Sequence, residues 1–595
     1  MNSLFGNWAS TLRKKSLLLV LSMVLPTFGI SNSVLAAERI YASYSALELS
    51  ISVSTLENYA KTGVINEDLA AYQQYLPLQQ LQELRRILLN RVKVSPVVVS
   101  QLLYTPQGEF LLHRLAQVIT VKSSQPKPEF GALRSALILA SAESSGLTLL
   151  NVLRKYPASS IRLDVAETLE IATELEKLVN QTHRAIAAVS QKSKIEAATI
   201  SQPNLSQLPD LQVPGKLKSQ KYILNFFDST RNRLLLTDVY IPKVQNAAPV
   251  IVISHGLGLD SSNFQYLATH LASYGFAVVV PNHPGSDAKQ LRSLLNGHAI
   301  EIAEPSEFKD RPLDITYILN QLEKDNQSDS RFKGRLNLQQ VGVFGQSLGG
   351  YTALALAGAK INFEQLKQDC QPAALQNTWN MSLLLQCRAL ELSISKSEKD
   401  YNLRDQRVKA AIAVNPITSS IFGKAGLSQI KTPVMIVGSS DDTVAPALAE
   451  QILPFSWLAN SQKYLVMLLG ATHFSTIGNG NPGNQQVALP ADMIGDASQA
   501  RRYMNVLSLP FFQTYVARRP KYVSYLNAAY TQSISSKSLG LSLVQSLSKT
   551  ELAQALASDR AKAQYYQKNA PNSILNFGFW MLDVGVAMLH VTIFI

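Results

Sequence analysis

Cysteine is nearly absent, with two residues in 595, so a disulfide-built scaffold is excluded. The eight histidines are scattered and form no cluster of zinc spacing; neither a metal nor another cofactor is expected. Charge is sparse at 16% of residues, and no arginine-rich tract or basic-aromatic stripe occurs, which removes nucleic acid from the expected partners. Gly (29) and Pro (26) are too few for a collagen-like or low-complexity chain, and 46% hydrophobic residues are too many for a disordered one. What is present is enough apolar side chain for a large interior. At roughly 150 residues per domain, the length corresponds to about three or four domains, or two large ones.

Lys and Arg exceed Asp and Glu by 55 − 42 = 13. Three of those positives, Arg13, Lys14 and Lys15, precede an apolar run from Ser16 to Ile30 and the small residues around Ala36. These are the parts of a secretory signal over residues 1–36, cleaved after Ala36. The run is short and broken by Pro26, whereas a spanning helix needs about 20 apolar residues. An exported chain, periplasmic or extracellular, is expected. Export makes Cys370 and Cys387 available for an 18-residue disulfide loop, with two buried thiols as the alternative.

Residues 37–200 read as an all-α module. Ser54-Thr55-Leu56-Glu57 has the form of a capping box, Asn66 can cap a following helix, and Leu81, Leu84, Leu88 and Leu89 recur at helical spacing. A long helix is expected from Val165 to Ser190. Residues 201–216, with Pro203, Pro209 and Pro214 among Ser, Gln and Asn, read as a linker. From 217 to 530 the texture changes to strands alternating with helices. Tyr222–Phe227 and Leu234–Ile241 flank a hairpin turn. Short apolar runs without alternation follow at 250–254, 277–281, 341–344, 410–414, 434–437 and 464–469, as in parallel strands buried on both faces. The expected fold class is α/β, a mostly parallel sheet covered by helices. Residues 531–595 form a helical and apolar tail whose last stretch, Ser573–Ile595, could be a membrane span or a core helix.

Gly345-Gln346-Ser347-Leu348-Gly349 follows the strand ending at Phe344 and precedes a helix. Chance supplies roughly 0.1 to 0.2 Gly-x-Ser-x-Gly matches in a chain this long, so context carries the weight. Strand, sharp turn and helix are what a nucleophile elbow requires, making Ser347 the expected nucleophile. A serine hydroxyl needs a base, and in this order an acid and then a histidine must follow. His473 follows a strand and is preferred to His590 in the apolar tail. The acid is Asp442 or Asp441 at the end of strand 434–437, and the Asp-x-x-x-Pro spacing to Pro446 favours Asp442. Two backbone N–H groups must hold an oxyanion: Leu348 supplies one, and Leu257, with Gly256 as alternate, the other. His255 precedes the serine and reads as a structural loop residue.

Ser254-His255-Gly256-Leu257-Gly258, Gly345–Gly350, Asp442-Thr443-Val444-Ala445-Pro446 and Thr472-His473-Phe474 together resemble α/β-hydrolases related to platelet-activating-factor acetylhydrolase, dienelactone hydrolase and bacterial polyester cutinases. The resemblance covers about residues 217–530, settles Asp442 as the acid, and implies hydrolysis of short or lipid acyl esters by Ser347 and His473. Residues 38 to about 160 look like the uncharacterised helical domain that precedes such hydrolases in exported cyanobacterial proteins. The chain departs from compact members at 361–407, an insertion with both cysteines that reads as a lid over the acyl pocket. A small-molecule or lipid ester is the expected partner, with association at an anionic membrane surface favoured by the basic surplus. Alternatives are a peptidase or amidase on the same triad, or a non-catalytic binding protein that kept the fold. Oligomeric state is not fixed by the sequence.

Overall fold

A computed structural model describes residues 37–557 except 45–46, 73–77, 93, 123–129, 200–208, 377, 394–400 and 481–493. Residues 1–36, where a secretory signal is expected, half of the expected linker and the apolar end of the tail therefore lie outside the described residues.

The N-terminal module contains a sheet. β1 (Arg39–Tyr44), β2 (Leu47–Ser52), β3 (Ile119–Val121) and β4 (Ser160–Asp164) lie in the order β2-β1-β4-β3, with β1 and β4 parallel. The all-α expectation is corrected to α+β. Runs of three to six residues are too short for periodicity to separate strand from helix, and β1 pairs on one side with a strand 121 residues further along, Arg39 opposite Ser160. The helices start on polar caps: Ser52, Asn66, Ser95 and Thr105 each accept a bond from the N–H three residues on. The capping box expected at Ser54 is displaced, because Ser54 lies inside the helix Val53–Thr62 that Ser52 caps.

This module is not closed on itself. Its core, with Leu56, Leu102, Leu112, Leu137 and Leu153, also takes in Leu291, Leu294, Leu295 and Ile302 from beyond the linker. The helix Val165–Thr199 leaves β4 and buries Ala185, Ile186 and Val189 in the core of the second half. Leu211 is fully buried and the Gly215 N–H donates to Ser273 Oγ, so residues 209–216 lie against the second half as well.

The second sheet starts with a hairpin, β5 (Ser219–Asp228) and β6 (Arg233–Pro242). It continues with β7 (Ala248–Ser254), β8 (Ala277–Pro281), β9 (Leu336–Gln346), β10 (Val408–Val414), β11 (Val434–Ser439) and β12 (Lys463–Leu469), and ends with β13 (Gly540–Val544). The order is β13-β12-β11-β10-β9-β7-β8-β6-β5. Pairs among β7 to β12 are parallel, while β5, β6 and β13 run antiparallel to their neighbours. β13 lies past residue 530, so the expected domain end is corrected outward. It is a five-residue strand standing alone between helices, without a neighbouring run to mark it.

Successive residues of a strand face opposite sides, and here both sides are dry. Val250 and Val252 enter one core with Val341 and Val343; Ile251, Ile253 and Phe344 enter the other. That double burial explains runs without alternation. Crossover helices Gln265–Ser273, Glu307–Ser328 and Leu348–Ala357 cover the faces.

The insertion forms helices Phe363–Asp369, Pro372–Gln376 and Met381–Arg388, with Cys370 and Cys387 joined as a disulfide. Buried Glu450 clamps it to the sheet. Its carboxylate accepts from Asn380 Nδ2 and Gln386 Nε2 of the insertion and from the Thr418 and Ser419 N–H groups after β10. No helix among the described residues is long and apolar enough to cross a membrane.

Replacing Cys370 and Cys387 together with serine is expected to lower stability by about 3 kcal/mol, the chain-entropy value for a loop of this size. The measurement is the denaturation midpoint, with protease cleavage inside 361–407 becoming easier at temperatures where the rest remains folded.

Candidate active site

β9 ends in a turn that the sequence makes unusually tight. Ser347 has φ 56° and ψ −119°, a backbone conformation that costs of order 1–3 kcal/mol for a residue with a Cβ. A Cβ on Gly345 would lie 1.8 Å from Gly349 O, and one on Gly349 would lie 2.0 Å from Ser254 O. Only glycine fits at either place. The turn is held by the Ser347 N–H donating to Val414 O on β10 at 2.8 Å.

Asp442 follows β11. Its Oδ1 accepts from the N–H groups of Val444 and Ala445 at 2.9 and 2.7 Å, which fixes the carboxylate and leaves Oδ2 free for another partner. That partner is His473, whose Nδ1 lies 2.7 Å away. The other ring nitrogen, Nε2, lies 2.9 Å from Ser347 Oγ. The His473 carbonyl accepts from Gln346 Nε2 and Asn415 Nδ2, both at 3.2 Å, and so ties the histidine loop to the serine turn and the end of β10. All three side chains are buried. Asp441 is exposed and bonds to Ser440 Oγ, outside this relay. His590 lies outside the described residues.

Leu348 opens the helix Leu348–Ala357, in the first turn where N–H groups have no intrahelical acceptor. The loop after β7 approaches this turn closely, since a Cβ on Gly256 would lie 2.2 Å from Gln346 Oε1. His255 is fully buried; it accepts the His283 N–H at Nε2 and donates from Nδ1 to Gly256 O.

Behind that loop is an ionic network that sequence reasoning missed. Arg311, fully buried, donates to His255 O at 2.6 Å, to Ser286 Oγ at 2.8 Å, and at longer range to Gly256 O. Ser286 Oγ in turn donates to Glu307 at 2.5 Å. Arg233 bridges Glu307 and Asp314, and Asp314 also accepts from Arg231 and from His283 Nδ1. Burial first, and the Arg311 charge second, holds both His255 and His283 well below the ordinary histidine range, so both are neutral. Burial lowers the Arg311 guanidinium to about 10 against the pull of Glu307 and Asp314, and it stays charged at neutral pH. Arg311 fixes the carbonyls of His255 and Gly256 to one side. In a trans peptide the N–H points opposite to its carbonyl, so the Gly256 and Leu257 N–H groups face away from the arginine.

The residues of this network come from the turn 228–233, the loop 283–287 and the helix start 307–314. Their one sequence signal is an Arg and an Asp three apart, Arg311 and Asp314, in the first turns of a helix. Arg311→Met is expected to destabilise the protein by about 3–5 kcal/mol, because it strands buried carboxylates. Arg311→Lys keeps the charge without the planar fork and should recover part of that loss; chemical denaturation of both variants measures it.

Two family models match the chain. One, described as an α/β hydrolase of unknown function (DUF1400), covers residues 36–164, and one described as the α/β hydrolase fold covers residues 249–386. Among curated proteins, Cutinase 1 of Thermobifida cellulosilytica is 24% identical over 245 residues, 40% of this chain and 64% of the relative. A cutinase of Thermobifida fusca is 24% identical over 245 residues, 40% of this chain and 56% of its own length. The chain thus spans less than two thirds of either relative. With the parallel sheet, the turn at Ser347 and the model match over its first half, the part of the chain that carries β5 to β13 has the α/β-hydrolase fold.

Proposed function

We propose that the protein is an exported serine hydrolase that cleaves carboxylic esters through an acyl-enzyme on Ser347. The observation that carries this reading is the unbroken relay from Asp442 through His473 to Ser347 Oγ, at 2.7 and 2.9 Å. Asp442 holds His473 with its proton on Nδ1, leaving Nε2 as the base. His473 takes the Ser347 proton as Oγ attacks the ester carbonyl. It then gives that proton to the leaving alcohol and afterwards activates the water that frees the acid. The developing oxyanion is held by the N–H groups of Leu348 and Leu257, the second aimed by Arg311. The chemistry uses no cofactor.

The likeness to cutinases and the apolar residues beside the relay, Val444 and Phe474, favour an ester with an apolar acyl group, lipid esters included. The resemblance of the four motifs to hydrolases related to platelet-activating-factor acetylhydrolase and dienelactone hydrolase supports the same substrate class. The signal pattern at 1–36 and the Cys370–Cys387 disulfide favour a periplasmic or extracellular location. The basic surplus favours work at an anionic membrane surface.

Ser347→Ala is expected to abolish both fluorophosphonate labelling and hydrolysis of a p-nitrophenyl ester; labelling undiminished in that variant overturns the assignment. Wild-type protein that neither labels nor turns over any ester supports a binding role instead, and cleavage of a peptide panel in preference to esters supports an amidase. Asp442→Asn should lower kcat by about 10³–10⁴-fold, while Asp441→Asn leaves it unchanged, as steady-state kinetics on the two variants will read.

A further inference from the structure

The apolar cluster beside the relay is assembled from five parts of the chain. Val444 and Phe474 belong to the loops that carry Asp442 and His473. Leu257 and Leu259 belong to the loop after β7, and Leu375, Met381 and Leu384 to the insertion. The fifth part is the N-terminal module, which contributes Phe110. Phe110 lies on the helix Pro106–Val118, where its neighbours Leu111 and Leu112 are buried in the module's own core. It is half-buried and packs outward, against the cluster instead of into that core.

The helix that carries it is fixed in place. Thr105 caps its start, and a Cβ on Gly108 would lie 2.1 Å from Leu102 O, so the helix crosses Pro96–Leu103 at backbone contact. Arg114 stacks its guanidinium 4.3 Å over the Trp379 ring of the insertion and pairs with Glu174 at 3.2 Å. Trp379 is itself buried against Ile171 and Leu175 of the helix Val165–Thr199. The insertion is tied to the acid loop by the Ser382 N–H donating to Val444 O at 2.9 Å. Leu257 touches this cluster, the module's core and the core of the second half alike. Module, insertion and the loop after β7 therefore meet beside the loops that carry Asp442 and His473.

We propose that Phe110 is a specificity-determining residue: with Leu375, Met381 and Leu384 it forms the apolar wall of the acyl site, so the N-terminal module sets which acyl chains are accepted. This rests on the ester-hydrolase reading and narrows it. The preferred substrates are esters of unbranched aliphatic acids longer than acetate, because the wall offers methyl, thioether and phenyl groups and no charge to the chain. A wall of fixed position gives a rising response to chain length and then a cutoff. Each methylene that reaches apolar contact should raise kcat/KM about four-fold, and the first that meets the wall should reverse the trend.

The test is a chain-length series of p-nitrophenyl esters from acetate to dodecanoate, run on the full chain as wild type, Phe110→Ala and Phe110→Trp. Fluorophosphonate labelling rates of all three are measured in parallel. The wall predicts that the optimum moves at least two carbons longer in Phe110→Ala and shorter in Phe110→Trp, with the ratio of octanoate to acetate kcat/KM changing tenfold or more. A residue that only supports the fold would scale all esters together and leave that ratio alone. Superimposable profiles in variants that still label overturn the inference while leaving the hydrolase intact. Wild-type protein that neither labels nor hydrolyses any ester overturns the hydrolase and the wall together. Should Phe110→Ala fail to fold, Phe110→Leu and Leu384→Ala carry the same prediction, and unchanged profiles in both sink it.

Discussion

Two loops in this structure lie closer together than side chains permit. The turn after β9 presses against the loop after β7 so tightly that Gly349 has Ser254 O where a Cβ would be, and Gly256 has the Gln346 amide there. Everything at the site follows from that approach. It accompanies a positive φ at Ser347, at the end of the central strand β9, and places the first turn of the next helix beside the loop that carries Leu257. The histidine loop is then fastened to the same point through Gln346 and Asn415, and the acid loop joins it through Asp442 Oδ2 and His473 Nδ1. The strain is local, and the surrounding sheet of nine strands over-determines it.

Holding the loop after β7 in that position requires charge in the interior. Arg311, Glu307 and Asp314 are buried together behind it with the half-buried Arg233, an arrangement that gains little net stability over apolar packing but defines one geometry. The two neutral histidines of the network mediate between charge and backbone. His283 connects Asp314 to Ser254, and its own N–H fixes the ring of His255. The relay on one side of the loop and the network on the other share no side chain; Arg311 acts only through backbone carbonyls.

Ser347, Asp442 and His473 were legible because each directly follows a run whose composition could only be a buried parallel strand, and because their chain order is restricted by the chemistry. The spacing to Pro446 favoured Asp442 over Asp441 and the resemblance chose it; Asp442 is the one whose carboxylate lies 2.7 Å from His473 Nδ1. Other parts were opaque for physical reasons. β1 to β4 are shorter than the window over which a period of two can be told from one of 3.6, and β13 stands isolated between helices. The Arg311 network is a three-dimensional object whose members are ordinary charged residues in a turn, a loop and a helix. Phe110 sits in a helical stripe where an aromatic reads as core, and only the fold shows that it faces a different core from its neighbours.

The long helix Val165–Thr199 has a consequence for how the chain comes into being. Its Ser193 hydroxyl accepts the Leu543 N–H of β13, 350 positions later, and its Ala185, Ile186 and Val189 are covered only by residues made after them. At synthesis rates of about 5–20 residues per second, that interval is roughly 20–70 s. The N-terminal module likewise waits for Leu291, Leu294 and Leu295. Each half therefore leaves part of its core uncovered until later residues arrive, and the long helix is covered in full only after β13 is delivered, in whichever compartment that happens.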